Sequence, residues 1–289
     1  MPDVGEWQER SIDVGARHVA LRIHGPDTGI PVLAIHGWRD NAATFELLGP
    51  QLPALRLIAV DLPGHGLSSW RDADGDYYIW TYLKDLVAVA DALRLTRFDL
   101  LGHSMGGAIA ALFAGLLPAR VRRLGMLDAV GPLATSTAEA PEQMLRAFEQ
   151  AKWPKRRNHY PGFEAAVAAR AAKGLQLQAA TILGKRGVAQ DEQGWYWTLD
   201  PRLSRANAMS MTEEHAETFL RRITCPALLV SAPAWWAERG QQDWFEQRCT
   251  YFSTLQRVAL SGGHHQHLEG HVDDVAALLR VFFGDQRGV

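Results

Sequence analysis

The stretch that most constrains the fold is Gly102-His103-Ser104-Met105-Gly106, a G-x-S-x-G turn set between an apolar strand and an apolar helix. Residues 98–101 form a short hydrophobic run of the length of a buried strand. Residues 108–117 read as a buried helix stopped by Pro118. A serine pinched between the two must take a strained backbone conformation, for which Gly102 and Gly106 leave room. Its hydroxyl then stands exposed above a sheet, at a helix N-terminus. Taken alone the pattern is common by chance and equally describes a glycine-rich turn without chemistry. The flanking strand and helix are what make Ser104 a candidate nucleophile.

The rest of the chain repeats that strand–helix alternation. Buried strands are expected at residues 31–35, 55–60, 121–127, 226–230 and 255–260, and an edge strand at 17–23. Residues 41–48 read as a helix. Ile79, Leu83, Leu86, Ala90 and Leu93 repeat at helical spacing, as do Val272, Val275, Leu279 and Phe282 near the end. Strands apolar on both faces imply a mostly parallel sheet with helices on each side, an α/β fold. Ligands of such sheets bind beyond the carboxyl ends of the strands, where His36, Asp61, Ser104 and Asp128 all fall.

From residue 133 to residue 224 the alternation stops. Helices are expected at 141–153, 163–172 and 212–222, the last opened by a capping box from Ser210 to Glu213, around an irregular stretch at 190–203. The expected organisation is a core at 1–132, a mainly helical cap inserted at 133–224, and the core resumed at 225–289.

A serine hydroxyl needs a base within hydrogen-bond reach. His264 follows Ser261-Gly262-Gly263 in the loop after the last strand and is the candidate, with His265 and His267 as competitors. These histidines, with His271, also suggest a metal site. No carboxylate stands at ligand spacing from them, so neither metal nor cofactor is expected. The imidazole needs an acid to fix its tautomer. Asp128 at the tip of strand 121–127 is the choice, with Glu238 and Asp243 in reserve, while Asp61 and His65 brace their own turn. The backbone N–H groups of Trp38 and Met105 are the expected oxyanion donors, and His36 orders the loop that carries the first. Each tryptophan in the cap region is individually explained by packing. Together Trp153, Trp195, Trp197 and Trp235 suggest an apolar substrate pocket.

Composition narrows the partners. A formal net charge of −2 offers no general attraction to nucleic acid or anionic membrane, and no apolar run approaches the ~20 residues of a spanning helix. Two cysteines are too few for a disulfide framework, and residues 1–6 lack the basic and apolar regions of a signal peptide. A cytoplasmic protein acting on a small apolar ester is expected, with an oligomeric state that the sequence does not set.

Set side by side, His36-Gly37-Trp38, Asp61-Leu62-Pro63-Gly64-His65-Gly66, Gly102 to Gly107, and Gly263-His264 with Glu269 resemble the α/β-hydrolase superfamily. More narrowly, Arg39-Asp40-Asn41-Ala42-Ala43 after that first motif, Leu127-Asp128, and Leu183-Gly184-Lys185-Arg186-Gly187 resemble the serine hydrolase-like proteins. The resemblance implies an α/β-hydrolase fold and a serine, acid, histidine order along the chain. Most members carry the acid after the strand matching 227–230, where this chain has Ala234-Trp235. The departure favours Asp128, a placement other members use, and keeps open a non-catalytic, ligand-binding protein. Ser104 argues against epoxide hydrolases and haloalkane dehalogenases, whose nucleophile is an aspartate. The expected activity is hydrolysis of a carboxylic ester through an acyl-enzyme, with thioester, amide or C–C cleavage as alternatives on the same residues.

Overall fold

Strands apolar on both faces are stable only when covered from both sides. The computed structural model of the chain, which describes residues 5–152 and 156–284, is built that way. Strands β1 (Gln8–Val14), β2 (Arg17–His24), β3 (Ile30–Ile35) and β4 (Leu55–Val60) lead to helix α1 (Thr81–Ala92). Then follow β5 (Phe98–His103), α2 (Met105–Leu116) and β6 (Val121–Leu127). Between β6 and the next core strand lie α3 (Ala140–Ala151), α4 (Phe163–Ala171), α5 (Leu177–Gly187), the hairpin β7 (Val188–Asp191) and β8 (Gly194–Trp197), and α6 (Glu213–Arg221). The chain closes with β9 (Ala227–Ser231), α7 (Pro233–Ala237), α8 (Gln242–Cys249), β10 (Leu255–Ala259) and α9 (Val272–Gly284).

Eight strands form one sheet in the order β1-β2-β4-β3-β5-β6-β9-β10. The two pairings made by β2 are antiparallel and all the others are parallel. The chain moves from β3 to one side and then returns to place β5 on the other. The crevice between the ends of β3 and β5 is therefore the topological switch point. Successive strand residues alternate between two cores. Leu33 and Ile35 join Leu86 of α1 and Phe113 of α2, while Val32 and Ala34 join Phe45, Val275 and Leu279 on the opposite face. Among the described residues no helix is long and apolar enough to cross a membrane.

Four local expectations are corrected. Residues 17–23 are not at the edge, because the charged, mostly exposed β1 pairs outside β2; its polarity hid it from a hydrophobic pattern and suits an edge. The expected helix at 41–48 is only a 3-10 turn over Ala42–Phe45, capped by the Asn41 side chain. The cap of α6 is Thr212, bonded reciprocally with His215 rather than Ser210 with Glu213. The stretch read as irregular holds the end of β7 and all of β8, most of one hairpin.

The segment between β6 and β9 is tied to the sheet by buried polar contacts. Asn41 Nδ2 donates to the Leu183 carbonyl at 3.0 Å, and Arg186 Nε donates to Asp61 Oδ2 at 2.9 Å. Its α6 also lies so close to α2 that a Cβ on Gly115 would come 2.1 Å from the Phe219 carbonyl oxygen.

The last helix buries Phe283 completely, and its ring lies where a Cβ on Gly125 of β6 would come within 2.9 Å. Phe283→Ala leaves a cavity against the sheet and is expected to cost about 3–5 kcal/mol, read as a lower urea midpoint with an unchanged m-value.

Candidate active site

A hydroxyl at a strand–helix turn is presented only if the backbone there departs from both regular conformations. Ser104 does so, with φ 52° and ψ −121°. Its N–H still donates to the Leu127 carbonyl at 3.0 Å, so the turn stays pinned to the sheet. The glycines are sterically required. A Cβ on Gly102 would sit 2.3 Å from the Gly106 carbonyl oxygen, and one on Gly106 would sit 2.0 Å from that of Ile35. Among the described residues, the non-glycines at positive φ are Arg39, Arg94, Ser104 and Asp128. Strain of this kind collects at functional sites, and three of these four lie just past strand ends of the sheet.

Asp128 follows β6 and is buried. Its Oδ1 accepts from the Ala232 N–H at 2.9 Å and from Trp236 Nε1 at 2.7 Å, and its Oδ2 stands 2.5 Å from His264 Nδ1. The Nδ1–H therefore donates to the carboxylate, which leaves the Nε2 lone pair of His264 free to act. The Trp235 ring stacks on that imidazole, with centroids 4.1 Å apart and planes 11° apart. Ser104, Asp128 and His264 all line one cavity of about 820 Å³.

The alternatives have other occupations. Glu238, just past α7, and Asp243 on α8 are exposed. Asp61 is buried and accepts from the N–H groups of Ala42 and Leu67 as well as from Arg186, and His65 Nδ1 donates to the Pro63 carbonyl at 3.2 Å. His265 Nε2 lies 3.1 Å from Asp40, and His267 Nε2 lies 2.8 Å from the Thr44 hydroxyl. His36 accepts from the Leu62 N–H at Nε2, so its Nδ1–H donates to the Gly37 carbonyl at 2.7 Å. That bond orients the loop bearing Trp38. The loop passes close to the serine, since a Cβ on Gly37 would come 3.2 Å from Ser104 Cβ. Met105 opens α2, so its N–H has no acceptor one turn back within the helix.

Aromatic side chains build much of the cavity wall, but only part of the expected set does so. Trp38 and Trp235 line it, the former also donating from Nε1 to the Leu203 carbonyl at 3.2 Å. Trp153 lies outside the described residues. Trp195 and Trp197 do not line the cavity, which corrects the expectation for them. Both sit on β8 and are spent on packing: Trp195 meets Phe163 edge-on, and Trp197 Nε1 donates to the Ala166 carbonyl. The wall is completed instead by Tyr77, Trp80, Phe148, Met209, Met211 and Trp244. The cluster Tyr77-Tyr78-Ile79-Trp80 was visible ahead of α1, but helical spacing drew attention to Ile79 alone.

The family model described as alpha/beta hydrolase fold matches residues 30–227. The chain is 33% identical to "Serine hydrolase-like protein" of Danio rerio, covering 92% of this chain and 85% of that one. It is 29% identical to "Serine hydrolase-like protein 2" of Homo sapiens, covering 96% and 94%. The crystal structure of a hypothetical protein from Pseudomonas aeruginosa PAO1 superposes with a TM-score of 0.89 at 35% identity, over 96% of this chain and 99% of that one.

Burial also makes part of this region sensitive to acid. Burial is the main reason that His36 and His65 are held below their ordinary value of 6.5, His65 well below. In the unfolded chain both titrate near ~6.5, so below that pH the unfolded state takes up protons that the native state refuses. Stability present above pH ~6.5 is then lost as the pH falls toward the native values, by up to about 1.4 kcal/mol per pH unit for each histidine. Urea midpoints measured between pH 7.5 and 5 are expected to drop on the acid side, with a shallower slope in His65→Gln. A midpoint that rises on acidification contradicts this.

Proposed function

The chain belongs to the alpha/beta hydrolase fold family, in its serine hydrolase-like subgroup, and from that premise we propose that it hydrolyses a carboxylic ester bearing an apolar group, through an acyl-enzyme. The observation that carries this reading is the 2.5 Å contact between His264 Nδ1 and buried Asp128, on the wall of the same cavity as strained Ser104.

On this reading His264 Nε2 takes the Ser104 proton as Oγ attacks the ester carbonyl carbon. Asp128 stabilises the imidazolium without being protonated itself. The N–H groups of Trp38 and Met105 hold the oxyanion of the tetrahedral intermediate, a donor pair whose members are each worth roughly 10²–10³ in turnover. Collapse breaks the bond to the alcohol oxygen, which leaves with the proton from His264. Water, deprotonated by the same imidazole, then attacks the acyl-serine. The acid is released and Ser104 regains its proton.

Residues 133–224 act as a cap in this scheme, since α3 and the stretch before α6 supply Phe148, Met209 and Met211 to the cavity. The cavity's size is in the range of small-molecule sites. Its mixture of indole, phenol and thioether surface suits an apolar acyl chain or alcohol.

Turnover of p-nitrophenyl esters from acetate to octanoate, together with labelling by a fluorophosphonate probe, tests the proposal. Both are expected in the full chain and both are expected to vanish in Ser104→Ala. Asp128→Asn is expected to lower kcat by about 10⁴ with the fold intact, and Glu238→Gln to leave it unchanged. An unlabelled serine and no ester turnover would overturn the reading in favour of a ligand-binding protein. Faster turnover of a thioester or amide of the same acyl chain would keep the residues and replace the bond.

A further inference from the structure

No carboxylate stands at ligand spacing from the histidine-rich loop in sequence, yet folding brings one to it from 225 residues away. Asp40, in the loop after β3, is buried and its Oδ1 accepts from Arg170 Nη2 at 2.7 Å. Its Oδ2 faces His265 Nε2 at 3.1 Å and His103 Nδ1 at 3.6 Å. From these contacts we infer that Asp40, His103 and His265 form a binding site for one divalent transition-metal cation of the zinc type. The inference does not rest on the ester hydrolysis proposed above.

His103 supplies the main argument. Its Nε2 lies 3.0 Å from the His264 carbonyl oxygen, which only an N–H can face comfortably. The proton is therefore on Nε2 and the lone pair on Nδ1. That Nδ1 atom is buried without a hydrogen-bond partner and points toward a carboxylate oxygen. A lone pair beside a carboxylate repels it, and a cation between the two turns the same arrangement into coordination.

The geometry and the surroundings agree. Ligand atoms about 2.0–2.1 Å from a tetrahedral zinc stand about 3.3 Å apart, close to the two contacts of Asp40 Oδ2, 3.1 Å and 3.6 Å. All three donor atoms lie within 4.8 Å of one another. Two imidazoles and a carboxylate leave the fourth position for water, a donor set of nitrogen and oxygen that suits zinc and not calcium or magnesium, which take mostly oxygen. Ligating imidazoles usually give their second N–H to a carbonyl, and ligating carboxylates are themselves hydrogen-bonded. His103 and Asp40 already hold those outer bonds, to the His264 carbonyl and to Arg170. The Arg170 charge weakens cation binding while fixing the carboxylate so that Oδ2 stays turned toward His265 and His103. A bound ion would clip the loops after β3 and β10 to the end of β5, next to the serine but not on it.

The test is titration of Zn²⁺ into the chelator-stripped full chain, in competition with a chromophoric chelator. One equivalent is expected to bind and to raise Tm. His265→Ala and Asp40→Asn are each expected to weaken binding at least tenfold and to lose the Tm rise, while His271→Ala, outside the cluster, retains both. X-ray absorption at the zinc edge of the wild-type complex is expected to show two imidazole ligands with oxygen completing the shell, and this decides the matter should either variant fail to fold. Absence of a stoichiometric ion, undiminished binding in His265→Ala, or loss of binding in His264→Ala with retention in His265→Ala would each overturn the inference.

Discussion

The contact on which the site depends joins His264 to Asp128, 136 residues apart in the chain. It works because the carboxylate is held from three directions. The Ala232 N–H and the Trp236 indole occupy one oxygen, and the imidazole takes the other. A buried carboxylate short of partners would be costly; this one is satisfied, and its position is set by the tip of β6 and the start of α7. The Trp235 ring then fixes the imidazole plane. Two neighbouring tryptophans thus act on the pair, one through its N–H and the other through its face.

That arrangement requires strand ends placed to within a fraction of an ångström, and the sheet supplies them. Ser104 and Asp128 are each bonded through their N–H to the next strand, at Leu127 and Val230. The ladder therefore continues into the strained turns and holds both residues at positive φ. Behind them, buried polar groups brace the loops: Asp61 gathers two backbone N–H groups and Arg186, and His36 bridges Leu62 to Gly37. Removing one partner of a buried ion pair leaves an uncompensated charge and commonly costs several kcal/mol. The contact between Arg186 and Asp61 thus fastens the segment between β6 and β9 to the core beside the site.

The parts of the fold legible in advance were those written in local hydrophobic pattern. The parallel strands, α1, α2 and α9 all announce themselves through runs or helical spacing. The outer strand β1 was missed because an edge carries charge and exposes most of its residues. The hairpin β7–β8 was missed because its four-residue strands are too short for alternation to register. The aromatic wall was legible as a tendency and not as a list. Composition marked tryptophans near the site, but which of them reach the cavity depends on how the hairpin packs against α4, as Trp197 and Ala166 show.

By itself the chain determined its class and its candidate nucleophile, because the glycine spacing around Ser104, the apolar flanks and the residues at strand ends are short-range features that need no partner to be read. Tertiary structure decided the pairings: Asp128 rather than Glu238 at the imidazole, Tyr77 and Phe148 rather than Trp195 in the cavity wall, and Asp40 beside His103 and His265. Each is a contact between segments far apart in sequence. Its existence is fixed by strand order and loop paths, and no local pattern encodes those distances.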